Sequence, residues 1–194
     1  MELIWIRHFQ TPGNGRKEYI GRTDEPLNEE KIPDPMYDYG KVDALCVSPM
    51  KRCRQTAGLL FAGQEQIVYE NLRELDFGDF EQKNYLDLDG NPEYQKWIDA
   101  GGKGAFPGGE EPADFLARCV AETERMLSDL LERQVRRAGV VVHGGTIMSV
   151  MSAFTGDPRS YFDWMVDNGK GYSVTIDEEE WKSGTHRFYD ARPL

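Results

Sequence analysis

Apolar residues in this chain fall into two patterns. Leu3–Ile6, Ala44–Val47, Ile67–Tyr69 and Val140–Val142 are short, nearly continuous runs, which read as strands buried on both faces. The segments Met50–Ala62 and Thr146–Phe154 instead repeat at helical spacing. So does Pro112–Arg137, the longest, through Phe115, Cys119, Val120, Met126, Leu127, Leu130 and Leu131. Between them, Gly, Asn and Pro exclude Thr11–Gly15 from helix, and Arg16–Gly40 is polar and irregular around Pro26, Pro33 and Pro35. Glu74–Tyr94 reads as a loop with a short helix, and Gly101–Gly109 as a break. The tail predicts two strands, Tyr172–Ile176 and His186–Tyr189, around a turn at Ser183-Gly184, with Glu178–Glu180 a solvated turn. Strands alternating with helices imply an α/β fold, a three-layer α/β/α sandwich with a mostly parallel central sheet. The length of 194 residues suits one domain spanning 1–194.

The formal charge of −11 and a pI near 4.8 argue against nucleic acid or an anionic membrane as partner, since both need a basic face. No apolar run approaches the roughly 20 residues of a bilayer span, and Glu2 and Arg7 interrupt any signal-peptide core. Cys46, Cys53 and Cys119 have no CxxC spacing and are odd in number, which favours a reducing compartment, the cytoplasm.

Two of the predicted strands end in histidine: Leu3-Ile4-Trp5-Ile6-Arg7-His8 and Val140-Val141-Val142-His143. Open α/β sheets place their sites at the carboxyl ends of strands, so both imidazoles are delivered to one edge. Ser48-Pro49-Met50-Lys51-Arg52 puts Arg52 in the first turn of a helix, where a cation opposes the dipole and signals function. His143-Gly144-Gly145-Thr146 opens another helix, an N-terminus suited to an anion. Arg7, Arg52, His8, His143 and Asn14 together suit a phosphoryl group. A metal site fits poorly, because three scattered histidines and unpaired cysteines have no ligand spacing.

These residues also resemble a known family. Arg7-His8-Phe9-Gln10-Thr11 is similar to the Arg-His-Gly-x-Thr signature of the histidine phosphatase superfamily, whose fold is phosphoglycerate mutase-like. Gly21-Arg22-Thr23-Asp24-Glu25-Pro26-Leu27, Ser48 to Ala57, Leu72 to Glu81, Pro107-Gly108-Gly109-Glu110 and Val142 to Gly145 resemble its further segments, in order. The resemblance implies a metal-independent phosphomonoester hydrolase without cofactor. His8 is its nucleophile, Glu74 its acid, and Arg7, Arg52 and His143 its charge stabilisers. Asn14, Gly21, Gly144 and Thr11 are implied to bind phosphate or substrate, a small phosphate ester. Asp76, Asp79 and Glu81 compete with Glu74 as the acid. His186, Lys51 and Arg54 read as surface residues. Trp97, Phe106, Tyr161, Phe162 and Trp164 read as core.

The departures bear on substrate. Phe9 replaces the family's Gly and either narrows the pocket or repacks beneath its loop. Gln82 stands where a Gly often follows the acid segment, and the family's helix before the second strand is shortened or lost across Glu29–Asp43. The chain lacks the length and basic insert of a mutase, which favours a phosphatase. Within phosphatases the Gly21–Asp24 and Leu75–Glu81 segments look most like the α-ribazole phosphatase branch. The alternatives are a broad-specificity sugar-phosphate or phosphoserine phosphatase, then a phosphoglycerate mutase, and last a non-enzymatic phosphate-binding domain.

Overall fold

A computed structural model describes residues 1–102 and 104–194; Lys103, inside the predicted 101–109 break, lies outside the described residues. The strands are β1 (Glu2–Arg7), β2 (Ala44–Val47), β3 (Gln66–Val68), β4 (Arg137–Val142), β5 (Gly171–Thr175) and β6 (Tyr189–Pro193). They form one sheet in the order β3-β2-β4-β1-β5-β6. β1, β2, β3 and β4 run parallel, while β5 is antiparallel to both β1 and β6. A parallel sheet with an antiparallel margin is therefore present.

The unbroken apolar runs are explained by burial on both faces. Leu3, Trp5, Val140 and Val142 point to one side, against helices α4 (Pro112–Glu132) and α5 (Gly144–Phe154); Ile4, Ile6 and Val141 point to the other, against α2 (Lys51–Leu60) and Phe61. The second face is more thinly covered, because Glu29–Asp43 contributes only a 3-10 turn at Glu29–Lys31. The α/β/α layering is thus present but unequal.

Several boundaries differ from the sequence expectation for local reasons. Thr11–Gly15 does contain one helical turn, α1 (Pro12–Gly15): Pro12 is preset for the first helical position, and Thr11 and Asn14 cap each other's backbone in a capping box. The long helix ends at Glu132 rather than Arg137, since Gln134 takes a left-handed φ of 57° and turns the chain into β4 three residues earlier than expected. Glu178–Glu180 opens a short helix, α6 (Glu178–Lys182), instead of a turn. Asp177 accepts from the amides of Glu179 and Glu180, and three acidic residues complement the helix dipole. The last strand consequently begins at Tyr189, not His186. Phe80, Leu88 and Phe106 build a small, mainly aromatic cluster, with α3 (Pro92–Asp99) bringing Tyr94 and Trp97.

Candidate active site

The register of the central strands assembles the site. β1 and β4 are neighbours with Arg7 opposite Val142, so the next residues, His8 and His143, leave the sheet side by side. The His8 amide donates to the Val142 carbonyl at 2.9 Å, and the two imidazole centroids lie 5.2 Å apart, edge to face. Both rings are buried.

His8 Nδ1 lies 2.7 Å from the Phe9 carbonyl oxygen. A carbonyl only accepts, so Nδ1 carries the proton and Nε2 keeps its lone pair. Burial, then the charges of Arg52 and Arg7, hold the His8 pKa well below its ordinary value of 6.5. Phe9 acts through its backbone: its amide donates to Thr56 Oγ1 and its carbonyl sets the tautomer. The ring is buried against Tyr37 and Gly169, so of the two expectations for Phe9, repacking beneath the loop is what occurs.

Arg52 is fully buried and has no carboxylate partner among the described residues. Its Nη1 donates to the Thr23 carbonyl at 2.7 Å, Nη2 to the Gly21 carbonyl at 2.8 Å, and Nε to His143 Nδ1 at 3.3 Å. The unfavourable start of α2 is relieved from outside, since Asp24 Oδ1 accepts from the Lys51 amide at 2.7 Å. Arg7 donates through Nη1 to the Val166 carbonyl, while its buried Nε has no partner. Gly144 backs onto it, because a Cβ there would sit 3.4 Å from that Nε. A buried cation without a carboxylate, Arg52, with the half-buried Arg7 beside it, is costly unless an anion completes the site.

His143 is held between Arg52 and Ser48, whose Oγ is 2.7 Å from Nε2. Burial first, then Arg52, depresses its pKa well below 6.5 as well. Glu74 comes from the segment after β3 and its carboxylate accepts from the amides of Gly145 and Leu75, both at 3.0 Å. Burial raises its pKa against those hydrogen bonds and the nearby arginines. Asn14 Oδ1 accepts from the Thr11 amide and from Asn168, leaving Asn14 Nδ2 without an acceptor among the described residues.

Not every sequence candidate reaches the centre. Thr11 is the buried cap of α1. Gly21 spends its amide on Glu81 and its carbonyl on Arg52, so it shapes the site without a free amide donor. Glu81, a competitor for the acid role, accepts from the amides of Gly21, Arg22, Thr23 and Phe77 and from Thr23 Oγ1. It is thereby committed to the loop that holds Arg52. Asp76 accepts from Gly78 and lies on the rim near Arg22. Among the aromatic residues expected in the core, Phe106 and Trp164 are buried, Trp97 and Tyr161 are half-buried, and Phe162 is 53% exposed. His186 is not a free surface residue: it pairs with Glu124 at 2.7 Å and stacks on Trp181. Ser48, Thr56, Arg118 and Asn168 were not singled out by sequence, and Glu81 was singled out only as a competitor for the acid, not as an acceptor of the Gly21–Thr23 amides. No three His, Cys, Asp or Glu side chains group as a metal site among the described residues.

A cavity of about 250 Å³ opens beside Glu74, lined by Arg22, Met50, Arg73, Asp76 and Glu110. The parallel sheet, the site at the carboxyl ends of β1 and β4, and the anion-seeking Arg52 and Arg7 define a phosphoryl-transfer enzyme. The chain belongs to the histidine phosphatase superfamily (branch 1), whose family model matches residues 3–187, and it is a phosphoric monoester hydrolase. It is 30% identical over 78% of its length to a broad-specificity phosphatase of Saccharomyces cerevisiae, 69% of which is covered. It is 26% identical to the adenosylcobalamin/α-ribazole phosphatase of Escherichia coli over 100% of this chain and 98% of that protein. The crystal structure of the α-ribazole phosphatase from Shigella flexneri superposes with a TM-score of 0.78 at 25% identity, covering 92% of each chain.

Proposed function

We propose that His8 is the nucleophile and Glu74 the proton donor of a two-step hydrolysis of a small phosphate monoester. The observation that carries the reading is the hydrogen bond from His8 Nδ1 to the Phe9 carbonyl, which leaves Nε2 unprotonated beside the buried Arg52 and the half-buried Arg7, neither paired with a carboxylate among the described residues. In the first step Nε2 bonds to phosphorus, the bond to the ester oxygen breaks, and Glu74 gives its proton to the departing alcohol. In the second, Glu74 takes a proton from water as that water attacks the phosphohistidine, releasing phosphate and restoring His8. Arg7, Arg52, Asn14 Nδ2 and the Gly144 amide hold the equatorial oxygens.

His143 enters by a tautomer change. An oxygen arriving between Arg52 Nε and His143 Nδ1 accepts from both once the ring proton moves to Nδ1. The Ser48 hydroxyl, able to donate or accept, then donates to Nε2. The cavity walls carry both signs of charge and one apolar side chain, Met50, which favours a small polar leaving group and hence broad specificity. The named activity of the Escherichia coli relative supports the second reading, α-ribazole phosphate. His8→Ala is expected to abolish turnover and covalent labelling by radioactive substrate; a labelled, active variant defeats the assignment. Hydrolysis rates across phosphoserine, sugar phosphates and α-ribazole phosphate separate the two substrate readings.

A further inference from the structure

Arg118, on α4, lies outside the phosphoryl site, yet every one of its N–H donors is spent. Its Nε and Nη2 grip the Glu110 carboxylate at 2.6 and 2.7 Å, a bidentate pair. The other three N–H groups reach backbone carbonyls: Nη1 those of Asn71 at 2.7 Å and Arg73 at 2.8 Å, and Nη2 that of Glu74 at 3.0 Å. Five donors with five acceptors leave none for a ligand. The guanidinium also lies 4.8 Å over the Phe115 ring, and that ring backs onto Gly145, whose amide holds the Glu74 carboxylate. Glu110 closes the other side, its amide donating to the Asp76 carbonyl at 3.0 Å. The segment from Asn71 to Asp76 has no regular structure beyond a 3-10 turn at Glu70–Leu72, so these contacts replace the ladder that a strand or helix would have supplied.

We propose that Arg118, oriented by Glu110, is a positioning residue for Glu74: it sets how far the acid-bearing segment reaches toward the phosphoryl site and touches no substrate. The inference rests on the reading of Glu74 as proton donor. It predicts a signature that loss of general folding would not produce, because an alkyl alcohol needs a proton as it leaves whereas 4-nitrophenolate leaves without one.

The test measures kcat/KM, which reports events up to alcohol release, on glycerol 2-phosphate and 4-nitrophenyl phosphate. Arg118→Met is expected to lose about 100-fold on the alkyl ester, the cost of an acid misplaced by about 1 Å, and only a few-fold on the aryl ester. Inhibition by orthovanadate should be unchanged. Arg118→Lys should fall between, since an ammonium has three donors and no planar fork. Glu110→Gln should show the same selectivity more weakly, and it carries the comparison if Arg118→Met does not fold. Equal losses on both esters, or no loss on either, overturn the inference. Glu74→Gln is the reference: if it is not itself selective against the alkyl ester, the proton-donor reading has failed. If Glu74→Gln is selective while the Arg118 and Glu110 variants are not, only the positioning role has.

Discussion

Gly145→Ala should disable the enzyme without unfolding it. A Cβ at Gly145 would lie 2.2 Å from Glu74 Oε1 and 3.1 Å from its Cδ, with Phe115 Cζ closing the other side at 3.2 Å. The carboxylate must retreat by about 1.2 Å to regain an ordinary 3.4 Å contact, and the retreat weakens its 3.0 Å bond from the Gly145 amide. With Glu74 in its proposed role of proton donor, a misplacement of that size costs about 100-fold in rate. Stability should change little by comparison. Gly145 is the second residue of α5 and its φ is not in the left-handed region, so alanine adds up to about 1 kcal/mol of helix preference, which offsets the cost of the weakened hydrogen bond to the Glu74 carboxylate. Losing the amide donor also removes a contact that lowers the Glu74 pKa, so the basic limb of the pH–rate profile should move up. The assays are kcat/KM for an alkyl phosphate across pH and the urea midpoint. Full activity at an unchanged pH profile, or a loss matched by unfolding, would refute the placement of Glu74 described above.

Three further outcomes follow from the same geometry. The folded-state pKa values of His8 and His143 are depressed, so below pH 6.5 the unfolded chain binds protons that the folded one refuses, and stability is full above 6.5 and lost as pH falls. Glu74, raised from 4.5, runs oppositely where the windows overlap, but one carboxyl stands against two imidazoles; the urea midpoint is expected to fall from pH 6.5 to 5.5, and a flat profile contradicts it. Gly21→Ala puts a Cβ 1.8 Å from the Leu75 carbonyl oxygen, a backbone atom that cannot step aside, so chemical denaturation should show a loss of about 1–3 kcal/mol together with weaker orthovanadate inhibition. Gln82 holds a left-handed φ of 59°, and Gln82→Gly should raise the urea midpoint by the equivalent of about 0.5–1 kcal/mol; a lower midpoint argues against strain at that position.

What was legible in the sequence were residues in locally unfavourable places. A histidine closing an apolar strand, or an arginine in the first turn of α2, conflicts with its surroundings, and the conflict is readable one segment at a time. The sheet and its two buried faces followed from periodicity, and the delivery of His8 and His143 to one sheet edge followed from their strand-end positions; that they lie side by side comes only from the β1–β4 register. The supporting residues are in local harmony and so gave no signal. Arg118 reads on α4 like any solvated helix arginine, and its three carbonyl acceptors lie more than forty positions back along the chain. Glu81 belongs to an acidic stretch in which nothing marks it as the carboxylate that gathers the Gly21–Thr23 amides. The tautomer of His8 depends on a backbone carbonyl, an atom that every residue possesses, and the side chain at position 9, the visible departure from the family, points elsewhere. Chemistry that strains local structure therefore shows in the sequence. The contacts that hold it in register are ordinary residues made specific by tertiary distance, and they become visible only once the strands are aligned.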